Sequence, residues 1–214
     1  FDMKLIAISM RVTEAQNYLE LRNSISFDLI HYMDRAGFVP ILVPNNLENV
    51  GQFLQQFELS GILLTGGNNI DPKLYQSNEK IEDVYIERDQ TEAEMVKYAI
   101  QSELPIVGVC RGFHFLNVFF EGRLLNQIEG HVDTRHKLLS DNKDFSSITV
   151  NSYHNQGLEE EGLGKSLNIL AKSEDGLIEA FENKQIKLLG IQWHPERDSL
   201  DRDIMLLKNH FLNS

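Results

Sequence analysis

The chain has 214 residues, 42% of them hydrophobic and 24% charged; this is a globular balance, and the length suits one domain with a sizeable core. Its 32 acidic residues outnumber 20 basic ones and give a net charge of −12, which repels nucleic acid and anionic membranes, and no basic cluster or aromatic platform offsets it. No apolar stretch is long enough for a membrane span, the first apolar run (Leu5 to Ser9) lacks a cleavage site, and a single cysteine excludes an internal disulfide and fits the cytoplasm.

Phe1 and Asp2, ahead of Met3, read as an addition outside the fold, so residues 3–214 are taken as one domain. A strand is expected over 4–10. A helix follows over 26–37, with Leu29, Ile30, Met33 and Ala36 on one face and Gly37 as its stop. A second strand (38–44), a helix (47–57) and a third strand (61–65) come next, the last closed by Gly66-Gly67. A long helix over 87–103 turns Met95, Tyr98 and Ala99 inward, and a fourth strand, 105–109, lacks alternation, as a central parallel strand buried on both faces does. This βαβα order implies a parallel sheet with helices on both sides. The second half is poorer in helix. Short β segments are expected near 123–126, 136–139, 147–151, 167–172, 177–182 and 187–191, loops over 128–136 and 140–146, and a last helix over 201–212.

The one thiol, Cys110, stands directly after the fourth strand in the frame Gly108-Val109-Cys110-Arg111-Gly112. Ligands of open α/β sheets bind at the carboxyl ends of the strands. Flanking glycines permit a sharp strand-to-helix turn, and a helix N-terminus stabilises a thiolate. The Arg111 N–H then faces an oxyanion formed at the attacked carbon. Taken alone, the frame fits a packed structural cysteine equally well. A nucleophile needs a base and an orienting group. His194 follows the apolar run Leu188–Trp193, and Pro195 holds it out of the helical region. In extended chain Glu196 points to the same side and fixes the imidazole. Gly66 and Gly67 end another buried strand at the same edge, where the Gly67 N–H offers a second oxyanion donor. No Cys/His set has zinc-ligand spacing, and no metal or cofactor is expected.

Strand-Gly-Gly, then Gly-Val-Cys-Arg-Gly, then His-Pro-Glu, with cysteine and histidine 84 positions apart (194 − 110), resembles the class I glutamine amidotransferase superfamily. The segments LLTGGNNIDPKLY, ERDQTE, GVCRGFHFLNVFFEGRLLNQI, VNSYHNQGL, SEDGLIEAF and GIQWHPE carry the resemblance through nearly the whole chain to its peptidase C26 branch of γ-glutamyl hydrolases. The resemblance implies a flavodoxin-like α/β fold: a central, mostly parallel sheet flanked by helices, with small β segments added in the second half. It also implies a mechanism. Cys110 attacks a γ-glutamyl amide, Gly67 and Arg111 hold the oxyanion, His194 moves the proton, and Glu196 orients His194. By the same resemblance Gly66, Asn68, His154, Gln156 and His136 fall at the substrate pocket. His114 stands where many relatives carry glutamine, so its contact with substrate or its packing is open. Overall likeness points further, to γ-glutamyl-CDP-amidate as the small-molecule substrate, split into glutamate and cytidine diphosphoramidate. A diphosphate needs a local cation, for which Arg11, Lys73, Arg88, Arg135, Lys137 and Arg197 are available. A glutaminase subunit feeding ammonia to a synthetase and a non-catalytic binding module are the competing readings. The sequence carries no unmistakable dimer surface and leaves a homodimer open.

Overall fold

A computed structural model describes residues 3–213; Phe1, Asp2 and Ser214 lie outside the described residues. Four strands of the first half, β1 (Lys4–Ser9), β4 (Phe38–Val43), β5 (Leu59–Leu64) and β6 (Ile106–Val109), form one parallel sheet. Three strands of the second half join the same sheet: β9 (Asn168–Lys172), β10 (Ile178–Asn183) and β11 (Leu188–Ile191). Its order is β4-β1-β5-β6-β11-β10-β9. β11 slots in parallel to β6, and β10 is antiparallel to both β11 and β9. The mostly parallel α/β sheet expected from sequence is therefore present, but the late β segments complete it rather than sit beside it.

Alternation along the strands splits the core in two. Ile6, Ile8, Leu63, Val107 and Val109 face α1 (Phe27–Ala36) and α6 (Asp201–Asn213). Ala7, Ile62, Leu64 and Ile106 face α2 (Val50–Leu54), α3 (Ile86–Gln101) and α4 (Arg111–Phe119). Helix α1 begins where the Ser26 side chain accepts the Leu29 N–H and ends at Gly37, whose φ of 77° is left-handed.

Several expectations need correcting. The helix over 47–57 shrinks to α2, capped by Asn49. Segment 123–126 holds only an isolated bridge, Leu125 to Gly157. The loop expected over 128–136 contains most of β7 (Val132–Lys137), which pairs with β8 (Thr149–Tyr153) as a separate two-stranded ribbon. Strands β2 (Arg11–Glu14) and β3 (Leu21–Ser24) form another ribbon that periodicity does not reveal. Both β3 and β7 are mostly exposed, so no apolar alternation marks them.

Candidate active site

β5, β6 and β11 are neighbours in the sheet, and each ends at the same edge. Their C-terminal extensions converge there: Gly66-Gly67 after β5, Cys110 after β6, and His194 after β11. Cys110 has φ 53° and ψ −105°, a conformation that L-residues seldom adopt and that is held by the surrounding structure. Its N–H donates to the Ile191 carbonyl at 2.9 Å, and its own carbonyl accepts the His114 N–H at 3.1 Å. The turn is this tight because α4 lies directly on the sheet: a Cβ on Gly112 would collide with the Leu64 carbonyl oxygen.

His194 is buried, and its Nδ1 is 2.7 Å from Glu196 Oε1. The two side chains adjoin as expected from sequence, by a different local route. Pro195–Asp198 is a short helical turn, α5, with His194 as its N-cap residue at φ −105°, ψ 86°; the stretch is not extended. The backbone of His194 is gripped by Asn151, whose Oδ1 accepts the His194 N–H at 2.9 Å and whose Nδ2 donates to its carbonyl at 2.8 Å. Burial opposes the imidazolium, but Cys110 and Glu196 outweigh it and raise the His194 pKa to about 10. Gly66 closes the pair from one side. A Cβ there would meet His194 Cε1 at 2.8 Å, His194 Nε2 at 3.6 Å and Cys110 Cβ at 3.5 Å.

Behind the glycines lies a buried ion network. Arg88 is fully buried and pairs with Glu92 at 3.0 Å. Its guanidinium also donates to the carbonyls of Thr65 (2.8 Å), Gly66 (3.2 Å) and Gly67. The Arg111 side chain turns inward, away from any substrate, to Glu92 and Asp89. Burial works against charge on Glu92, yet Arg111 and Arg88 hold its carboxylate below the ordinary range. Burial lifts Asp89 to about 6 against the pull of Arg111.

A cleft of about 160 Å³ opens over Cys110, and Asn68, His114, His154, Gln156 and His194 line it. Not all of their side chains are free. The Asn68 amide is spent pinning β2, accepting the Val12 N–H at 2.8 Å and donating to the Val12 carbonyl at 2.9 Å. His154 Nδ1 is 2.8 Å from the Gln156 carbonyl. Burial lowers His114 and His154 to about 3, so both are neutral imidazoles. His136 does not line the cleft: its Nε2 stands 3.2 Å from Glu179 Oε2 behind it. Of the six cations named from sequence, only Arg11 and Arg197 line the cleft, and neither makes an ion pair among the described residues. Arg88 is a structural group of the network above, Arg135 is paired with Asp198 at 2.8 Å, and Lys73 and Lys137 are exposed elsewhere. Sequence reasoning missed Asn151 and Tyr153 as site residues, although both lie in the quoted NSYHNQG segment; Tyr153 carries the Arg197 guanidinium 3.8 Å above its ring. A thiol, an imidazole and a carboxylate so placed, beside free N–H groups at a helix start, suit nucleophilic attack on an acyl carbon.

The peptidase C26 family model matches residues 4–196. The chain is 27% identical over 209 residues to gamma-glutamyl-CDP-amidate hydrolase of Campylobacter jejuni, covering 96% of each. It is 30% identical over 193 residues to gamma-glutamyl-gamma-aminobutyrate hydrolase of Escherichia coli O157:H7, covering 77% of this chain and 75% of that one. A solved structure of a glutamine amidotransferase from Thermotoga maritima superposes with a TM-score of 0.62 at 17% identity, covering 100% of this chain and 85% of the other. The last match concerns the fold alone, but the family match spans all seven strands of the sheet and the residues Cys110, His194 and Glu196: the chain belongs to the peptidase C26 family of hydrolases.

Proposed function

We propose that the protein hydrolyses a γ-glutamyl amide through Cys110. The observation that carries this reading is the meeting of Cys110 and His194 at Gly66, with Glu196 on the far nitrogen of the imidazole. Cys110 Sγ attacks the γ-carbonyl carbon, and the oxygen gains charge toward the N–H groups of Gly67 and Arg111. His194 gives its proton to the leaving nitrogen as the C–N bond breaks, leaving a γ-glutamyl thioester. His194 then takes a proton from water, which attacks the thioester and releases glutamate and the thiolate. Glu196 holds the ring in one tautomer. His114, His154 and Gln156 line the acyl side of the cleft, and Arg11 and Arg197 face the anionic groups of the substrate.

A cleft of about 160 Å³ suits a glutamyl group and leaves the leaving group at its mouth. For the leaving group we favour cytidine diphosphoramidate. The likeness to the Campylobacter enzyme over 96% of both chains supports this choice, and two unpaired arginines beside the thiol give a diphosphate its cations. We read residues 3–214 as one domain that acts alone on this small molecule in the cytoplasm.

The purified chain alone is expected to release glutamate from γ-glutamyl-CDP-amidate faster than from γ-glutamyl-GABA, γ-glutamyl peptides or glutamine. Cys110→Ala abolishes release while leaving the circular dichroism spectrum unchanged. Glutaminase activity that appears only with a partner protein overturns the hydrolase reading in favour of an ammonia-supplying subunit, and activity surviving in Cys110→Ala overturns the mechanism.

A further inference from the structure

Behind the cleft, three imidazoles converge on one carboxylate. Glu179, on β10, is fully buried, and neither of its oxygens has a hydrogen-bond partner. His131 Nδ1 stands 3.8 Å from Glu179 Oε1, His154 Nε2 stands 3.7 Å from the same oxygen, and His136 Nε2 is 3.2 Å from Oε2. His131 and His154 are themselves buried.

The outer hydrogen bonds fix what the two buried rings present. A carbonyl only accepts, so His154 Nδ1, 2.8 Å from the Gln156 carbonyl, carries the proton. His131 Nε2 donates to Asp175 Oδ2 at 2.9 Å. The inner nitrogens, His154 Nε2 and His131 Nδ1, therefore both turn toward a Glu179 oxygen, 3.7 and 3.8 Å away. Ser152 Oγ stands 3.4 Å from His131 Nδ1, and its hydroxyl donates to the His131 carbonyl at 2.7 Å. Both Glu179 oxygens and His154 Nε2 are buried without a hydrogen-bond partner, which is costly in a dry interior. The separations are long for hydrogen bonds, but near the roughly 3.3 Å between two ligands of one tetrahedral ion with bonds of about 2.0–2.1 Å.

One ligand atom from each of His131, His154 and Glu179 lies within 4.8 Å of the others, and we propose that His131 Nδ1, His154 Nε2 and Glu179 Oε1 bind a divalent transition-metal cation of the zinc type. Two imidazoles and one carboxylate suit that class of ion, and no thiolate is present to select a softer one. Asp175 on His131 and the Gln156 carbonyl on His154 act as the outer hydrogen-bond partners that metal-binding histidines use. His136 Nε2 stands beside the second oxygen of Glu179. The ion joins the start of β7, the end of β8 and β10, and so fixes the segment that carries His154 and Gln156 into the cleft.

The test uses the full chain carrying Cys110→Ala, so that metal bound by the thiol and His194 cannot be mistaken for this site. Metal-stripped protein is titrated with zinc chloride at pH 7.5 and followed by equilibrium dialysis, by melting temperature and, with cobalt chloride, by visible absorption. One equivalent of zinc, a raised melting temperature, and cobalt bands without thiolate charge transfer are expected. Glu179→Gln and His131→Gln are each expected to weaken binding at least tenfold. No stoichiometric zinc uptake by the Cys110→Ala chain, or uptake unchanged in Glu179→Gln and His131→Gln, overturns the proposal. A variant that misfolds leaves the metal-dependent melting shift of the Cys110→Ala chain as the deciding measurement. None of these readouts depends on γ-glutamyl turnover.

Discussion

Gly66 is where a single methyl group should separate folding from turnover. Its missing side chain is the space into which His194 Cε1 and Cys110 Cβ close. Overpacking of this kind costs about 1–3 kcal/mol, and here the first atoms to yield are those of the imidazole. Gly66→Ala is expected to lower kcat by about 100-fold, a loss on the scale of one misplaced group, while shifting the melting temperature by only a few degrees. Steady-state kinetics beside calorimetry checks this. His194 carries a second expectation. With its pKa near 10, the imidazolium is the resting form at neutral pH, beside Cys110 and Glu196. Alkylation of Cys110 by iodoacetamide at pH 6.5 is expected to slow at least tenfold in His194→Gln, because a neighbouring imidazolium makes a thiol more reactive. The sign for stability comes from the same shift. The folded-state pKa exceeds the ordinary 6.5, so the ion pair's contribution is fully present below pH 6.5 and is lost as the pH rises through about 10. The melting temperature should fall more steeply above pH 8 in the natural chain than in His194→Gln.

At the scale of elements, helix α3 works as a strut. Arg88 gathers the carbonyls of Thr65, Gly66 and Gly67, and Glu92, one turn on, is shared by Arg88 and Arg111. The loop after β5 and the start of α4 are thus tied to the same buried carboxylate. Removing one partner of a buried pair costs about 3–5 kcal/mol, since the other is left uncompensated. Arg88→Met should cost that much in chemical unfolding. Residual folded protein at low temperature should show a kcat loss larger than its change in KM, because the loop N–H groups lose their aim. Arg88→Met with Glu92→Gln should recover stability but not kcat. Elements are unevenly legible in the sequence. The thiol between glycines and the histidine after an apolar strand announce themselves because reactive side chains sit at the ends of buried strands. Ribbon strands such as Leu21–Ser24 and Val132–Lys137 do not, because cross-strand hydrogen bonds and not burial make them strands. In sequence Arg88 reads as one of six cations available to a diphosphate; only the fold shows that it pairs with Glu92 inside. His136 reads as a pocket residue, and the β7–β8 ribbon carries it behind the pocket. Extended-chain geometry predicts the Glu196 contact, and a helical turn makes it.

For the whole molecule, the arrangement of the sheet decides when the site can exist. β11 lies between β6 and β10, in the interior of the sheet, although it is the last strand in the chain. The first six strands and α4, with Cys110 at its head, emerge well before it. Until Leu188–Ile191 inserts, β6 keeps an open edge, the Cys110 N–H lacks its Ile191 acceptor, and His194 has no place to stand. Contacts of such long sequence separation form late and leave earlier species with unpaired strands. During synthesis on the ribosome, then, the growing chain carries its thiol for more than 80 residues (194 − 110 = 84) without the means to use it. On the proposed mechanism, hydrolytic competence switches on only once β11 and His194 have been made, and a product truncated ahead of β11 is both inert and exposed along a strand edge that invites aggregation.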